Sequence, residues 1–168
     1  SYRLMGQIDT STLSEALKVD YLLALYDFSR DLAGNSGMVE RPPLAEQEVY
    51  RTRLYALLPK DSERWRQLKM DELALAGRLA EADSVGHLLI AGTQPQEHQY
   101  AIYAYELSKI AERMGRQEER MDWLIKSAEC DILNAVKDYA SLTLISQIII
   151  HDDVERSFRY LRVAQEDD

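Results

Sequence analysis

Apolar residues recur along the chain at intervals of three and four, which is the spacing of one face of an α-helix. The clearest stripe comprises Met121, Leu124, Ile125 and Ala128, at positions i, i+3, i+4 and i+7. This spacing predicts that the four side chains are buried between helices. An earlier stripe starts behind residues 12–15, which have the Ser/Thr-x-x-Glu spacing of a capping box.

Glycine, proline and polar turn signals divide the chain into four predicted helical hairpins, over residues 12–58, 62–91, 99–131 and 134–166. The turns inside the last three hairpins fall at Gly77, Gly115 and Asp152, which are 38 and 37 residues apart in the sequence. Near-constant spacing of helix–turn–helix units is typical of a helical solenoid. The sequence therefore predicts one all-α domain, a right-handed solenoid of about eight antiparallel helices.

Composition and net charge argue against several classes of fold and function. With only 7 Gly and 4 Pro in 168 residues, the chain has few turn formers for a β-rich fold. The net charge of −9 argues against direct binding of nucleic acid, because phosphate contacts require a basic surface. The longest apolar run, residues 144–150, is shorter than the about 20 residues that span a bilayer, so no membrane insertion is predicted for these residues.

The sequence contains no phosphate-binding loop, metal-ligand motif or nucleophile motif that would indicate an enzyme. The histidines are dispersed and Cys130 is the single cysteine, so no metal, cofactor or disulfide is predicted. The enzyme alternative, a helical hydrolase, would need a convergent pair of titratable groups. Asp131 is unusual, because it lies late in an apolar helix. We expect it to bond to a neighbouring backbone group or to a basic side chain such as Lys137.

The hairpins resemble the tetratricopeptide repeat. Leu107 and Ser108 match that family's Leu-Gly/Ala pair on the first helix, eight and seven residues before Gly115. Leu124 and Leu161 match its apolar position nine residues after the turn. The period is longer than the usual 34 residues, and three positions depart from the pattern: Lys69, Met70 and Ile145.

Residues 50–168 also resemble a family of bacterial membrane-anchored transcriptional regulators. The family's repeat motifs appear here as Trp123, Leu124, Ser127, Ala128, Asp131, Ile132, Lys137, Ala140, Ser141, Leu142, Asp153, Arg156 and Tyr160. The resemblance implies a periplasmic repeat region followed by a transmembrane helix and a C-terminal helix-turn-helix of the LuxR type. On this reading the chain carries part of the repeat region of a larger protein, and DNA binding is not assigned to its residues.

The leading hypothesis is a noncatalytic sensor and protein-interaction domain of a transmembrane transcriptional regulator, on the periplasmic side of the inner membrane. The alternative is a soluble cytoplasmic adaptor or scaffold built of tetratricopeptide repeats. A homodimer of the full-length protein is left open. A membrane span downstream in the parent gene would separate the first two readings.

The tetratricopeptide resemblance also implies where a partner would bind. In that family the first helix of each pair lines the concave face, which here gives the following partner-binding set: Arg64, Gln67, Asp71, Tyr105, Lys109, Glu112, Arg113 and Tyr139. An aromatic ring with two basic groups, Tyr105 with Lys109 and Arg113, suits a protein or peptide partner or a small anionic ligand. The alternative is that later repeats cover this face, which the apolar Ile149 and Ile150 favour.

Overall fold

The computed structural model describes residues 14–34, 44–135 and 139–166. Across these ranges the chain forms α-helices and no strand, which confirms the predicted all-α class. The helices are α1 (Glu15–Gly34), α2 (Leu44–Leu57), α3 (Glu63–Leu75), α4 (Leu79–Ala91), α5 (His98–Arg113), α6 (Gln117–Leu133), α7 (Tyr139–Ile149) and α8 (Val154–Gln165). None of them is both long and apolar enough to cross a membrane.

The chain divides into two compact units, Ser1–Leu68 and Lys69–Asp168. In the first unit α1 packs against α2, and the buried core consists of Leu22, Tyr26, Leu54 and Leu68. The Tyr55 and Trp65 rings lie 5.8 Å apart beside it. The organisation as a single repeat domain stays a prediction.

The second unit has one core cluster among α3, α4 and α5. Its buried members are Met70, Leu73, Ala82, Leu89, Ile90, Tyr103, Ala104, Leu107 and Ile110. Gly86 explains how closely α4 approaches this cluster. A Cβ at Gly86 would lie 2.6 Å from Leu107 Cδ2 and 2.9 Å from Met70 Cε, closer than carbon atoms pack.

A second cluster joins α6, α7 and α8 through Leu124, Ala128, Leu142, Ile145, Ile149 and Tyr160. In the predicted stripe Leu124 and Ala128 are buried, whereas Met121 and Ile125 are half-buried. Small hydroxyl residues hold the paired helices close. Ser127 Oγ donates to the carbonyl of Ala101 at 2.9 Å, and Ser157 Oγ donates to that of Ser146 at 2.8 Å.

The repeat register is visible in the helix bounds: α4, α6 and α8 begin at Leu79, Gln117 and Val154, which keeps the predicted spacing. Gly77 and Gly115 adopt left-handed φ angles of 76° and 72°. Each ends its helix with a Schellman pattern, in which the next residue's N–H reaches back five residues. The turn at Asp152 has no left-handed residue.

One predicted element is wrong at its start. The last predicted hairpin starts at residue 134, but α6 extends to Leu133 and α7 begins at Tyr139. Ala135 adopts a left-handed φ of 52°, which the regular helix does not accommodate. Leu144 on α7 is 42% exposed, so that helix is not covered on all sides. The first residues of the predicted capping box at 12–15, and Lys137, lie outside the described residues.

Candidate partner-binding surface

The exposed side of α5 carries the central part of the predicted binding set. Lys109 Nζ lies 4.8 Å from the centre of the Tyr105 ring and 3.2 Å from Glu106 Oε1. The Tyr105 ring is half-buried because it packs against the α6–α8 cluster. Ile102, one turn earlier, is 40% exposed. The structure therefore brings an aromatic edge, an ammonium group and an apolar side chain together on one helix.

Arg113 has a bonding role that the sequence pattern does not reveal. Its Nη1 donates to the backbone carbonyl of Ala74 at 2.7 Å. That carbonyl belongs to the last turn of α3 and also accepts the backbone N–H of Gly77 at 3.1 Å, so Arg113 is its second donor. Arg113 thus links the end of α5 to the end of α3. Its neighbour Glu112 forms an ion pair with Arg120 of α6 at 3.5 Å.

The other predicted binding residues lie in different surroundings. In the first unit, Arg64 is exposed and forms an ion pair with Asp20 at 3.1 Å. It lines a shallow cleft with Glu15, Ala16, Val19, Asp20, Leu57, Leu58 and Pro59. Gln67 and Asp71 on α3 are half-buried. Tyr139 is the first residue of α7, and its side chain lies outside the described residues. The assignment of the eight residues to a binding face stays a prediction.

Asp131, near the end of α6, lies next to the start of α5. Its Oδ1 lies 3.1 Å from Nδ1 of His98, the first residue of α5. Asp131 is 4% exposed, while half of the His98 side chain is open to solvent. This distance is that of a hydrogen bond, whose direction is set by the tautomer of His98. The pair fastens the start of α5 to the end of α6.

Cys130 lies beside this pair and is buried. Its Sγ donates to the carbonyl of Pro95 at 3.2 Å and accepts from Nδ2 of Asn134 at 3.3 Å. Burial raises the pKa of the Cys130 thiol. The group therefore stays protonated at neutral pH, and a protonated thiol is a poor nucleophile.

A second polar group that sequence reasoning missed lies between α6 and α8. Glu129 accepts a hydrogen bond from the hydroxyl of the buried Tyr160 at 3.0 Å and also pairs with Arg159. Burial and the Glu129 carboxylate raise the pKa of Tyr160. Arg156 lies 2.8 Å from Asp153 and 3.9 Å from Glu129. These charges compensate one another, as in a structural ion-pair network.

No described region holds three metal-ligand side chains close enough together to bind an ion. The polar clusters of the second unit instead join helix to helix. The α5 face differs from them because its apolar and cationic groups point outward.

Comparison with known protein families gives a match to the chain. The model of the SusR N-terminal TPR domain, where TPR denotes the tetratricopeptide repeat, matches residues 1–168. No curated protein and no solved structure matches the chain. Tetratricopeptide domains are in general noncatalytic protein-interaction modules, which agrees with the outward-facing groups of α5.

Proposed function

The chain belongs to the SusR N-terminal TPR domain family, and on this basis we propose that it is the sensor domain of a bacterial transmembrane transcriptional regulator. In this role it binds a protein or peptide partner without catalysis. The family match over the whole chain is the observation that carries the proposal. The resemblance of residues 50–168 to membrane-anchored regulators supports the signalling context and the periplasmic location.

The partner binds to the exposed side of α5, at Ile102, Tyr105 and Lys109. Ile102 and the edge of Tyr105 offer apolar contact, which contributes about 25 cal/mol for each Å² removed from water. Lys109 offers a positive charge. Its ion pair with Glu106 is half-exposed, and such pairs are worth about 0–1 kcal/mol. An acidic group of the partner can therefore replace Glu106 at little cost in free energy.

The test compares two lysines that each lie over an aromatic ring. Lys109 lies over the Tyr105 ring at 4.8 Å, and Lys126 of α6 lies over the Trp123 ring at 4.5 Å. We expect Lys109→Glu in the full-length regulator to abolish the signalling response, measured with a transcriptional reporter. The matched Lys126→Glu variant should respond like the wild type.

Tyr105→Ala should also reduce the response, by removing the apolar edge of the same surface. Circular dichroism of the isolated chain checks that each variant keeps its helix content. A full response from the Lys109→Glu variant would show that the partner does not bind to α5.

A further inference from the structure

Charge is unevenly distributed along this acidic chain. Residues 51–66 contain five of the 20 basic side chains and two of the 29 acidic ones, so this segment carries +3 while the rest of the chain carries −12. The segment, called the basic corner below, comprises the last turns of α2, the link to α3 and the first turn of α3, all within the first compact unit. A local excess of cations in a chain of net charge −9 indicates a surface for an anionic partner.

The two helices are held together at the basic corner. The Tyr55 ring of α2 and the Trp65 ring of α3 lie 5.8 Å apart, and Ser62 Oγ accepts the backbone N–H of Trp65 at 3.4 Å. At 1.5 Å per helical residue, Arg53 lies about 6 Å from the end of α2, and Arg66 lies about 5 Å from the start of α3. The basic side chains therefore start from backbone positions close to the link between the helices.

Three of the five basic side chains form no ion pair with a residue of the ranges 14–34, 44–135 and 139–166. Two of them, Arg53 and Lys60, are exposed, and the third, Arg66, is half-buried. Arg64, by contrast, pairs with Asp20 at 3.1 Å. A guanidinium group without a carboxylate partner can bind a phosphate through two parallel N–H donors, and an ammonium group adds a compact positive charge.

The chemistry of the basic corner fits a lipid surface better than a protein partner. No large apolar side chain of residues 51–66 is exposed, whereas specific protein interfaces depend on buried apolar and aromatic anchors. Clusters of about four to eight basic residues bind anionic lipid headgroups through charge alone. The acidic remainder of the chain opposes this binding little, because charges more than about 8 Å from the lipids are largely screened at physiological salt.

We infer that the basic corner binds the anionic phospholipid surface of the membrane in which the regulator is anchored. Arg53, Lys60 and Arg66 contact the phosphate groups of the lipids. The inference rests on the proposed membrane-anchored role, because a tether holds the basic corner at a high effective concentration near the lipids and makes a weak contact sufficient. The contact involves neither the α5 surface nor the partner that binds there.

Co-sedimentation of the whole chain with vesicles tests the inference. Vesicles of phosphatidylglycerol and phosphatidylcholine in equal parts should retain the chain at about 50 mM salt and release it at about 500 mM, because salt screens the charges. Vesicles of phosphatidylcholine alone should not retain it. Arg53→Gln, Lys60→Gln and Arg66→Gln together should lower the partition coefficient by about a hundredfold, since each basic group near the surface contributes about a factor of five.

The matched control combines Arg78→Gln, Arg116→Gln and Lys126→Gln, three exposed positions outside the basic corner. It changes the net charge by the same amount and should bind the vesicles like the wild type. A wild-type chain that anionic vesicles do not retain at low salt would overturn the inference, as would equal losses in the two triple variants. Retention by polyglutamate or by a DNA duplex in place of vesicles would overturn it as well. None of these outcomes depends on α5, so the response of Lys109→Glu tests the proposed function separately.

Discussion

The second unit contains two hairpins, α5–α6 and α7–α8, that occupy equivalent positions of the repeat. The residues that form their turns differ. Between α5 and α6 the chain turns at Gly115, whose φ of 72° lets the N–H of Arg116 reach the carbonyl of Ala111 at 2.9 Å. Between α7 and α8 no residue is left-handed. There the N–H groups of Asp152 and Asp153 both donate to the carbonyl of Ile149, at 2.9 and 2.8 Å.

The starts of the following helices differ in charge as well. Arg116 precedes α6 without a side-chain cap and lies 3.6 Å from Glu119. At the corresponding place Asp153 caps α8, accepting the N–H of Arg156 at 3.0 Å and pairing with its guanidinium at 2.8 Å. The order of base and acid is thus reversed between the two repeats. What the two hairpins share is the helix–turn–helix order and an apolar residue nine positions after the turn, Leu124 in α6 and Leu161 in α8.

The largest expected effect is a loss of stability, which should differ between the two hairpins because equivalent leucines are buried to different degrees. Leu124→Ala removes a side chain that is 2% exposed in the α6–α8 cluster. It should lower the free energy of unfolding by about 2–5 kcal/mol, as large-to-small changes in a core do. Leu161→Ala at the same register position of α8 should cost less, because Leu161 is half-buried. Urea denaturation measures both, and equal losses would show that the two positions are packed alike.

A smaller effect concerns the turns themselves. Gly115→Ala places a Cβ on a left-handed residue, which costs about 1–2 kcal/mol even though no neighbour would contact that Cβ. Asp152→Ala should change the free energy of unfolding by less than about 0.5 kcal/mol, because no left-handed residue is involved there. If both substitutions cost the same, backbone conformation does not distinguish the turns.

The smallest effect is a dependence on pH that originates at the start of α8. The backbone N–H of Arg156 holds the pKa of Asp153 below its usual value. A lowered pKa in the folded state means that the carboxylate stabilises the fold above the unfolded-state pKa of about 3.9. This stabilisation is lost as the pH falls through the lower, folded-state value.

Asp153→Asn keeps a cap but removes the charge. Its urea midpoint should lie below that of the wild type at pH 7, and the gap should close below about pH 4. The control is Arg116→Ala at the start of α6, which removes no side-chain cap. A gap for Asp153→Asn that persists at low pH would show that ionisation of Asp153 does not contribute.

The sequence predicts helices well where apolar spacing ends at a glycine or proline. The predicted hairpin over residues 62–91 ends before Gly92, and α4 ends at the same residue, Ala91. The boundary between α6 and α7 was predicted at residues 131–134, earlier than the observed start of α7 at Tyr139, because the left-handed residue is an alanine, Ala135, which carries no turn signal.

Site contacts are harder to predict than helices. His98 and Asp131 are 33 residues apart and meet only because the hairpin brings the two helix ends together. Arg113 was assigned to a binding face by its register, but it bonds to a backbone carbonyl, and every residue has one. Tyr105 and Lys109 do meet, because residues four apart on a helix are neighbours.

The central claim, that a partner binds the exposed side of α5, is tested most directly by photo-crosslinking. A benzoylphenylalanine placed at Ile102 of the full-length regulator should form a covalent adduct with the partner under activating conditions, because Ile102 is exposed beside Tyr105 and Lys109. The same probe at Leu88, exposed on α4, should form none. An adduct at Leu88 with none at Ile102 would contradict the account and place the binding surface on α4.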